Sequence, residues 1–420
     1  MNKNTKDKIA FVVVRYGKDI NGGAELHCRM LAERLVDKYN VEVLTTCIKK
    51  YNQRINYYEE GVETINEVTV RRFNSSLYNN IRHRYHNRSK RWIKLRMRLF
   101  NTPLFKILAR WSLFWDVAKN DEIRSTRGSI FYSENLFNYI QEHKDEYKAI
   151  ICITLIHPTS YYTTLYAGEK TIIIPTLHQE KDSFMYMSHF YMTHVAYIAF
   201  NMQAEEKLGE RIYGSSIAPH GIVGVSFEKS PEAPWNEVKQ KYAIPDHYML
   251  YMGRVDPSKM PRYFFNYFAS YKKRHPKSDL KLVVAGRLYM EPVSHPDITY
   301  TGFVSDEEKT SLIVHSEMVV NPSLFESLSL ILLEALSEKK PIIVNARCNI
   351  MAEHAAKSHG AVVLFDKEDE FIDKIHTLHI SPKIRENLGE SGKAYVDHDY
   401  DWNVIIKRLT DAIEYVKSLS

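Results

Sequence analysis

The chain has 420 residues, of which 44% are apolar and 26% charged, and its formal net charge is +6. This composition is ordinary for a globular protein, and the length is too great for one compact core, so two domains are expected. The four scattered cysteines form no CxxC pair and have no histidine at ligand spacing. This pattern excludes a disulfide framework and a zinc site, and it predicts buried thiols in a reducing compartment.

The N-terminal segment MNKNTKDKIAFVVV has neither a long apolar region nor a small-residue cleavage site, so no signal peptide is predicted. Residues 183–204 hold no formal charge over 22 residues, which raises the possibility of a membrane-spanning helix. The same stretch contains two histidines, three tyrosines and several amide and hydroxyl groups, which lipid would leave unsatisfied. We therefore expect a buried helix followed by a strand at VAYIAF.

Apolar runs typical of strands recur along the whole chain and are separated by longer helical patterns. They occupy residues 9–14, 41–46, 68–73, 149–155, 171–178 and 195–200 in the first half, and 248–253, 280–286, 298–302, 317–323, 341–346 and 360–366 in the second. Nearly continuous Val, Ile and Leu runs indicate strands buried on both faces, and their alternation with helices indicates parallel sheets. Two such series predict two doubly wound α/β domains.

The domain boundary is expected between positions 219 and 246, where the chain is rich in Gly, Pro and Ser. The first domain would span residues 1–222 and carry a basic insertion at about 81–115. The second would span residues 223–401. Residues 402–416 place apolar side chains at helical spacing, so the chain is expected to end in an amphipathic helix at 402–420.

Ligands of doubly wound sheets bind beyond the carboxyl ends of the strands, so the loops that follow strands are the candidate sites. After the first strand, Gly22 and Gly23 allow a tight turn, and a helix beginning near Ala24 would direct N–H groups at an anion. An ordinary strand-to-helix loop would also contain them. In GRVDPSKM, Arg254 and Lys259 could clamp a diphosphate, or they could belong to a solvated loop.

The stretch FESLSLILLEAL at 325–336 carries two glutamates eight positions apart, Glu326 and Glu334. On a helix this spacing corresponds to roughly 12 Å, which exceeds the roughly 5–9.5 Å between paired glycosidase carboxylates. The two glutamates therefore fit two contacts with one extended ligand, such as a nucleotide-sugar. Alternatively, Glu326 caps the helix and Glu334 is an ordinary surface residue. Glu334 interrupts an apolar helix, where an unpaired charge is costly, so we expect it to have a partner.

A block of ten Lys and Arg residues without any Asp or Glu lies between positions 81 and 110. Large apolar residues alternate with these cations, as in amphipathic helices that bind anionic membranes or lipid-linked acceptors. The block could instead be a helical insertion with a solvated basic face. Nucleic-acid binding is not expected, since no nucleic-acid module accompanies it. The residues assigned to the membrane or acceptor surface are Arg88, Arg91, Lys94 and Arg98.

These motifs together resemble the family 4 retaining glycosyltransferases of the GT-B fold, and the resemblance covers nearly the whole chain. The Glu-x7-Glu segment is the most specific part, followed by the Arg-x4-Lys loop at 254–259. Supporting motifs are the Gly-Gly-Ala-Glu loop at 22–25, TIIIPTLHQE, IAPHGI, VVAGR, TGFVS and the C-terminal helix that begins with tryptophan. The resemblance implies two facing Rossmann-like domains with a cleft between them and a C-terminal helix that crosses back onto the first domain.

The resemblance also implies how the donor is bound. Arg254 and Lys259 would bind the diphosphate and stabilise the leaving nucleotide, and Glu334 would accept hydrogen bonds from the ribose hydroxyls. Gly22 and Gly23 would let the first loop approach phosphate or acceptor. Neither a cofactor nor a metal is expected, because cations and a helix dipole would neutralise the developing charge.

The catalytic roles follow from the same resemblance. Glu326 would face the donor sugar, the backbone N–H groups of Leu328 and Ser329 would bind sugar or phosphate, and His178 would contact the sugar from the other domain. The family often has glycine where this chain has Ser327 and Ser329. The segment NARCNIMAEH likewise lacks the usual glycines.

The expected function is transfer of a sugar from a nucleotide-sugar to a glycan or lipid-linked acceptor, as in the synthesis of a surface polysaccharide or lipopolysaccharide. The expected location is cytoplasmic and peripheral at the inner face of the plasma membrane. Two alternatives share the fold, namely a nucleotide-sugar 2-epimerase and a non-catalytic GT-B subunit. A nucleotide-binding dehydrogenase is disfavoured, because the first loop lacks GxGxxG. The donor base, the sugar, the acceptor and the linkage are not assigned.

Overall fold

The computed structural model describes residues 6–20, 22–76 and 82–419, without the side chains of residues 82–87. The predicted start of the basic insertion near position 81 and the first five residues of the N-terminal segment lie outside this description. The chain separates into two compact units. Unit 1 comprises Met1–Val225 with Asn403–Ser420, and unit 2 comprises Ser226–Trp402.

Unit 1 is built on an eight-stranded sheet. Its strands are β1 (Lys8–Val12), β2 (Asn40–Thr46), β3 (Gly61–Ile65), β4 (Val68–Phe73), β5 (Ala149–Ile153), β6 (Thr171–Ile174), β7 (Tyr197–Phe200) and β8 (His220–Ile222). Their order is β3-β4-β2-β1-β5-β6-β7-β8, and all neighbours are parallel except β3 and β4. The central strands are buried on both faces, as their continuous apolar sequences predict.

The six strands predicted in the first half are all present, and two strands were missed. The first, β3, is mostly exposed and forms a hairpin with β4 through Asn66 and Glu67, both at positive φ, as a two-residue hairpin turn requires. Its residues GVETI lack the apolar run on which the prediction relied. The second, β8, has only three residues and lies at the edge of the sheet.

Helices cover both faces of this sheet and form the insertion between β4 and β5. They are α1 (Gly23–Leu35), α2 (Arg82–Leu99), α3 (Pro103–Leu108), α4 (Ser112–Asp116), α5 (Lys119–Thr126), α6 (Glu134–His143), α7 (Pro158–Ala167), α8 (Tyr186–His194) and α9 (Gln203–Tyr213). The uncharged segment at 183–204 contains α8 followed by β7, which confirms the prediction of a helix and a strand there. Among the described residues, no helix is long and apolar enough to cross a membrane.

Unit 2 contains a six-stranded, fully parallel sheet in the order β11-β10-β9-β12-β13-β14. Its strands are β9 (Tyr248–Met252), β10 (Lys281–Ala285), β11 (Ile298–Gly302), β12 (Met318–Asn321), β13 (Ile342–Asn345) and β14 (Val362–Phe365). Its helices are α10 (Trp235–Tyr242), α11 (Arg262–Arg274), α12 (Asp306–Val314), α13 (Leu330–Ser337), α14 (Asn349–Lys357), α15 (Glu368–Ile380) and α16 (Pro382–Asp399). All six strands predicted in the second half are confirmed.

The last helix, α17 (Trp402–Lys417), returns the chain to unit 1. Its residues Ile405, Leu409, Ile413 and Val416 are buried at the predicted helical spacing. Tyr39 of unit 1 donates a hydrogen bond to Glu414 at 3.0 Å and so fixes the exposed side of this helix. The four cysteines are free and buried, as predicted.

The basic insertion packs onto unit 1 through one face of α2. Ser89, Ile93, Arg96 and Phe100 recur at helical spacing and are buried. The guanidinium of Arg96 lies 3.8 Å from the buried carboxylate of Glu122 and donates to several backbone carbonyls, including that of Phe184 at 2.9 Å. Arg96 therefore anchors the insertion and does not belong to its exposed basic surface.

Leu104, Leu108, Trp111 and Trp115 have helical spacing in the sequence but do not form one apolar stripe. The chain leaves the helix after α3 and re-enters one at Ser112, so the helical spacing does not continue across the break. Trp115 is fully buried in the core, whereas Leu104 and Trp111 are exposed. Trp92 and Leu95 of α2 are also exposed.

Candidate functional site

The candidate site of unit 2 lies where the direction of strand addition reverses. The chain builds β9, β10 and β11 on one side and then places β12 on the other side of β9. The loops that follow β9 and β12 therefore diverge at the carboxyl edge of the sheet, which is where doubly wound sheets bind ligands. The Arg254–Lys259 loop follows β9, and the Glu326 loop follows β12.

The structure brings Lys259 and Glu326 together. The Lys259 ammonium lies 2.9 Å from a carboxylate oxygen of Glu326 and donates to the carbonyl oxygen of Phe325 at 2.7 Å. Asn321, at the end of β12, donates to the Ser329 hydroxyl at 3.2 Å and lies 3.4 Å from Glu326. This arrangement joins the two post-strand loops and leaves both charged groups partly accessible to solvent. A cation and a carboxylate are thus available side by side for one polar ligand.

The loop that carries Lys259 is shaped by Asp256, which sequence reasoning had not selected. Its carboxylate accepts hydrogen bonds from the backbone N–H of Ser258 at 2.9 Å and of Lys259 at 3.1 Å. Burial alone would raise the pKa of Asp256, but the bonds from Ser258 and the Arg254 guanidinium at 3.6 Å hold that pKa below its usual value. An aspartate that bonds to the N–H two residues on is a local turn signal, so DPS was the available clue.

Arg254 is placed differently from Lys259. Its guanidinium is more than half exposed and lies beside Asp256, while its carbonyl oxygen accepts from the Tyr251 hydroxyl at 2.6 Å. Its backbone is thus fixed and its head group is open to solvent. The preceding residue, Gly253, is held beside the end of β10, because its N–H donates to the carbonyl oxygen of Ala285.

Ser329 directly precedes α13 and has a backbone conformation that is usual for glycine. Its φ is 76° and its ψ 82°, and its carbonyl accepts from the N–H groups of Leu332 and Leu333. The N–H groups of Leu330 and Ile331 open the helix, have no acceptor within it, and point out of its N-terminus. Serine is accommodated because Asn321 donates to its hydroxyl. The predicted role of the Leu328 and Ser329 N–H groups on sugar or phosphate stays a prediction, since both residues precede the helix.

His354, on α14, supports the same turn and was missed. Its Nε2 lies 2.8 Å from the carbonyl oxygen of Leu328, and its Nδ1 lies 2.9 Å from the Tyr395 hydroxyl. Burial lowers the pKa of His354 to about 4, so the ring is neutral. A carbonyl oxygen can only accept, so Nε2 carries the proton and Nδ1 accepts from Tyr395. The partners are separated by tens of residues, which a single sequence does not reveal.

The second glutamate has the partner that its position in an apolar helix predicts. Glu334 lies 2.8 Å from the ammonium of Lys309 on α12, which also lies 3.0 Å from Asp306. Burial raises the pKa of Glu334, and Lys309 opposes that rise. The spacing argument needs correction, because α13 begins only at Leu330 and Glu326 lies in the preceding loop. The distance expected for a continuous helix therefore does not apply to the pair.

The glycine loop of unit 1 holds a buried ion pair. Glu25, in the first turn of α1, lies 2.6 Å from the Arg15 guanidinium and accepts from the Tyr51 hydroxyl at 3.0 Å. A Cβ at Gly22 would lie 1.9 Å from the Glu25 carboxylate, so any other residue there would have to displace the Glu25 side chain. A Cβ at Gly23 would meet open space. Gly22 thus makes room for Glu25, and Gly23 leaves the start of the helix uncovered.

His178 lies in the loop that follows β6, as the sequence indicates. This loop is tied to the neighbouring one by Glu205, a buried residue of α9 that sequence reasoning missed. Its carboxylate accepts from the N–H of Leu177 at 2.5 Å and from the N–H of Asn201 at 2.6 Å. The His178 carbonyl in turn accepts from the N–H of Glu180 and from the Ser183 hydroxyl. Glu205 therefore fixes the backbone that presents His178.

The insertion exposes a mixed basic and apolar surface. Arg88, Arg91, Lys94 and Arg98 of α2 are exposed, and Arg88 lies 3.9 Å from Asp121. Seven large apolar side chains between positions 92 and 113 are also exposed: Trp92, Leu95, Met97, Leu104, Ile107, Trp111 and Leu113. We call this set, together with the exposed cations of α2, the insertion surface. Within the described ranges, no group of three or more His, Cys, Asp or Glu residues is arranged to hold a metal ion.

Comparison with known proteins shows that the chain is similar to glycosyltransferases. Residues 236–395 match the family model described as glycosyl transferases group 1. The chain is similar to the alpha-D-kanosaminyltransferase of Streptomyces kanamyceticus, at 27% identity over 38% of the chain and 44% of that protein. This match thus spans less than half of the relative. A second similar protein, an uncharacterized glycosyltransferase of Methanocaldococcus jannaschii, is 22% identical over 95% of the chain and 96% of its own length.

Among solved structures, the chain is similar to the Anabaena protein HepE in complex with UDP and glucose. The TM-score is 0.64 at 12% identity, over 97% of this chain and 99% of that one. The fold is therefore GT-B, with two α/β units whose sheets consist mainly of parallel strands. Residues 236–395 match the glycosyl transferases group 1 model, and the chain as a whole is similar to glycosyltransferases and has the GT-B fold.

Proposed function

We propose that this protein is a family 4 retaining glycosyltransferase that transfers a sugar from a nucleotide-sugar to a glycan or lipid-linked acceptor. The observation that carries the proposal is the joining of two post-strand loops by Lys259 and Glu326 at the strand-order reversal of unit 2. The Anabaena structure, which holds UDP and glucose, supports the choice of ligand. The corresponding acceptor belongs to cell-surface polysaccharide or lipopolysaccharide synthesis.

In this proposal each charged group of unit 2 has one task. Lys259 and Arg254 bind the diphosphate, one as a compact cation and the other as a planar fork. Glu334 accepts hydrogen bonds from the ribose hydroxyls, and the N-terminus of α13 faces phosphate or sugar. Glu326 faces the donor sugar. The roles that the resemblance implies for His178, Gly22 and Gly23 of unit 1 stay predictions.

Donor binding is tested by isothermal titration of UDP, GDP, ADP and dTDP into the full chain. We expect one nucleotide to bind, and the Lys259→Ala variant to bind it more weakly because one of the two diphosphate cations is lost. If none of the four nucleotides shows saturable binding, the proposal is contradicted.

The retaining stereochemistry is tested by proton NMR of the first product, which should keep the anomeric configuration of the donor. Turnover should persist in excess EDTA, because Lys259, Arg254 and the helix terminus supply the positive charge.

Lys309 is expected to keep Glu334 ionised for its role with ribose. In Lys309→Met, burial of Glu334 would be unopposed, so the pKa of that carboxyl would rise further. Nucleotide affinity should then fall about tenfold at neutral pH. It should decline further as the pH is lowered, over a range in which the wild type is constant. Titration calorimetry across pH measures this, and Lys309→Arg should restore binding. Identical pH profiles for Lys309→Met and the wild type would refute the role.

We also propose that the insertion surface binds the anionic inner face of the plasma membrane, so the protein is cytoplasmic and peripheral. Exposed cations supply the attraction, about 1 kcal/mol each near such a surface, and exposed tryptophan and leucine side chains enter the interface. Replacing Arg88, Arg91, Lys94 and Arg98 by glutamine should reduce binding to phosphatidylglycerol vesicles at least tenfold at low salt.

Vesicle co-sedimentation measures this effect against a matched control. The control carries glutamine at four other exposed cations that lie outside the insertion: Lys273, Lys339, Lys383 and Lys407. Both variants lose the same charge, so general electrostatics predicts equal effects and a specific surface does not. Equal loss in both variants, or full binding by the insertion variant, would contradict the assignment.

A further inference from the structure

Unit 2 contains a cavity at the edge of its sheet that lies opposite to the candidate site. Its volume is about 510 Å³, within the roughly 300–1,000 Å³ typical of small-molecule sites. It is lined by the residues directly before three neighbouring strands, namely His247 before β9, Glu317 before β12 and Pro341 before β13. The loops of Lys259 and Glu326 follow the other ends of β9 and β12, so none of the roles assigned above uses this cavity.

Helix α13 separates this cavity from the candidate site. The helix begins after Ser329 and ends at Ser337, and residues 338–340, which follow it directly, line the cavity. Its 8 residues correspond to a length of roughly 12 Å. Substrates of doubly wound sheets bind beyond the carboxyl ends of the strands, whereas this cavity lies at the amino ends. A ligand bound here would therefore not occupy the candidate site.

Lys340 is a partly buried cation that has no hydrogen-bonded partner among the described residues. Burial lowers the pKa of its ammonium, and the neighbouring positive charge of Arg385 lowers that pKa further. The charges of Glu338 and Glu317 act in the opposite direction without reversing the shift. Removing an ammonium from water without a partner is costly, so Lys340 is expected to meet an anion that the chain itself does not supply.

Arg385, the second cation of the cavity, is already oriented by the chain. Its Nη1 donates to the carbonyl oxygens of Leu378 at 2.5 Å and His379 at 2.7 Å, at the end of α15, and lies 3.5 Å from Glu317. Within the described residues these contacts all use Nη1. The edge of the guanidinium formed by Nε and Nη2 is therefore available to a ligand. Such an edge binds two oxygens of one phosphate, and an ammonium beside it adds a compact positive charge.

The carboxylates that line the cavity are mostly neutralised by other residues of unit 2. Three of the four have a partner: Glu317 lies 2.7 Å from the His247 ring, Glu386 lies 2.8 Å from Lys383, and Glu390 lies 2.7 Å from Lys339. The fourth, Glu338, has no ion pair among the described residues. Two adjacent cations, Lys340 and Arg385, thus face one unpaired carboxylate, which favours an anionic ligand.

We propose that this cavity is a second ligand site, which binds a small phosphate monoester through Lys340 and Arg385. A phosphate monoester carries a charge of about −1.5 to −2 at neutral pH and presents three acceptor oxygens. These match an ammonium placed next to a guanidinium fork, and the cavity has room for an organic group of the size of glycerol or a hexose. The inference is independent of the proposed function, because neither cation has a role in it.

Phosphorus NMR titration of glycerol 3-phosphate against the full chain tests the proposal. We expect saturable binding, which Lys340→Gln should weaken about tenfold through the loss of a charge-assisted hydrogen bond. Glu338→Gln should instead tighten binding about threefold, because it removes the carboxylate that opposes the anion. Lys273→Gln is the matched control, since Lys273 is an exposed lysine of unit 2 outside the cavity and its replacement removes the same charge.

A further variant distinguishes this cavity from the candidate site, where phosphate could also bind. Lys259→Ala should bind glycerol 3-phosphate like the wild type, because Lys259 lies at the opposite edge of the sheet. Loss of binding in Lys259→Ala but not in Lys340→Gln would overturn the inference, as would equal loss in Lys340→Gln and Lys273→Gln.

Two results with the wild type alone would also overturn the inference. One is the absence of saturable binding of glycerol 3-phosphate. The other is equal affinity for acetate, which offers a carboxylate with a single charge in place of the phosphate. Nucleotide titration of the same wild-type sample judges the proposed function separately, because the proposed nucleotide contacts are made by other residues.

Discussion

Replacing Lys259 by alanine should lower the rate of nucleotide release from the donor by about a hundred- to a thousandfold. The Lys259 ammonium joins the loop after β9 to Glu326 and donates a hydrogen bond to the carbonyl oxygen of Phe325. In the proposed mechanism it stabilises negative charge that develops on the leaving diphosphate, and a group that acts in the transition state lowers kcat when removed. Single-turnover release of nucleotide from a saturating donor measures the effect.

Glu326→Ala should lose activity to a similar extent while keeping its fold. Its carboxylate is the partner of Lys259 and faces the position proposed for the donor sugar. Far-UV circular dichroism should match the wild type for both variants, and Lys273→Ala, at an exposed position of α11, should be fully active. Normal turnover by either Lys259→Ala or Glu326→Ala would remove this loop junction from the active site.

Gly286→Ala should destabilise unit 2 by about 4 kcal/mol or more, an effect at the upper end of those seen for single substitutions. Gly286 follows β10 with φ of 143°, and a Cβ there would lie 1.8 Å from the carbonyl oxygen of Gly253. The obstacle is backbone at the end of the adjacent β9, so no side chain can move aside. Displacing Gly253 would also disturb Arg254, and the variant should lose nucleotide binding along with stability.

Gly302→Ala separates steric contact from backbone strain. Gly302 has φ of 72°, but a Cβ there meets nothing within 4 Å. Only the left-handed conformation opposes alanine, at about 1–2 kcal/mol. Urea unfolding followed by tryptophan fluorescence compares the midpoints. If the midpoints of Gly286→Ala and Gly302→Ala are equal, then Gly286 after β10 and Gly253 after β9 are not in contact as described.

Much of the fold could be predicted because its strands are buried on both faces. β5 and β10, for example, are apolar runs that can be assigned as strands without knowing which strands lie beside them in the sheet. The hairpin strand β3 could not be found this way, since it is exposed and stable only through its pairing with β4. The three residues of β8 likewise form a strand only because β7 lies beside them.

The candidate site shows the same division between local and distant information. Lys259, Glu326 and Glu334 belong to local motifs and could be selected from the sequence. Their supports could not, because Lys309 reaches Glu334 across 25 positions and His354 reaches Leu328 across 26. Such contacts depend on the order of strands in the sheet, which a single sequence leaves open.

The basic insertion illustrates a third case. Its composition predicted a helix with cations and apolar residues, but not which face would be buried. Arg96 has the same residue type as Arg88 and Arg98, yet it is enclosed by backbone carbonyls beside Glu122. Burial raises the pKa of Glu122 to about 7 and Arg96 opposes that rise, a pairing that only tertiary structure brings about.

The measurement that tests the central claim most directly is release of nucleotide from UDP-, GDP-, ADP- and dTDP-sugars by the purified protein, with Glu326→Ala beside it. The account predicts slow release from one donor, which is abolished in the variant. If Glu326→Ala retains the release, or if the wild type releases nucleotide from no donor, the account is contradicted.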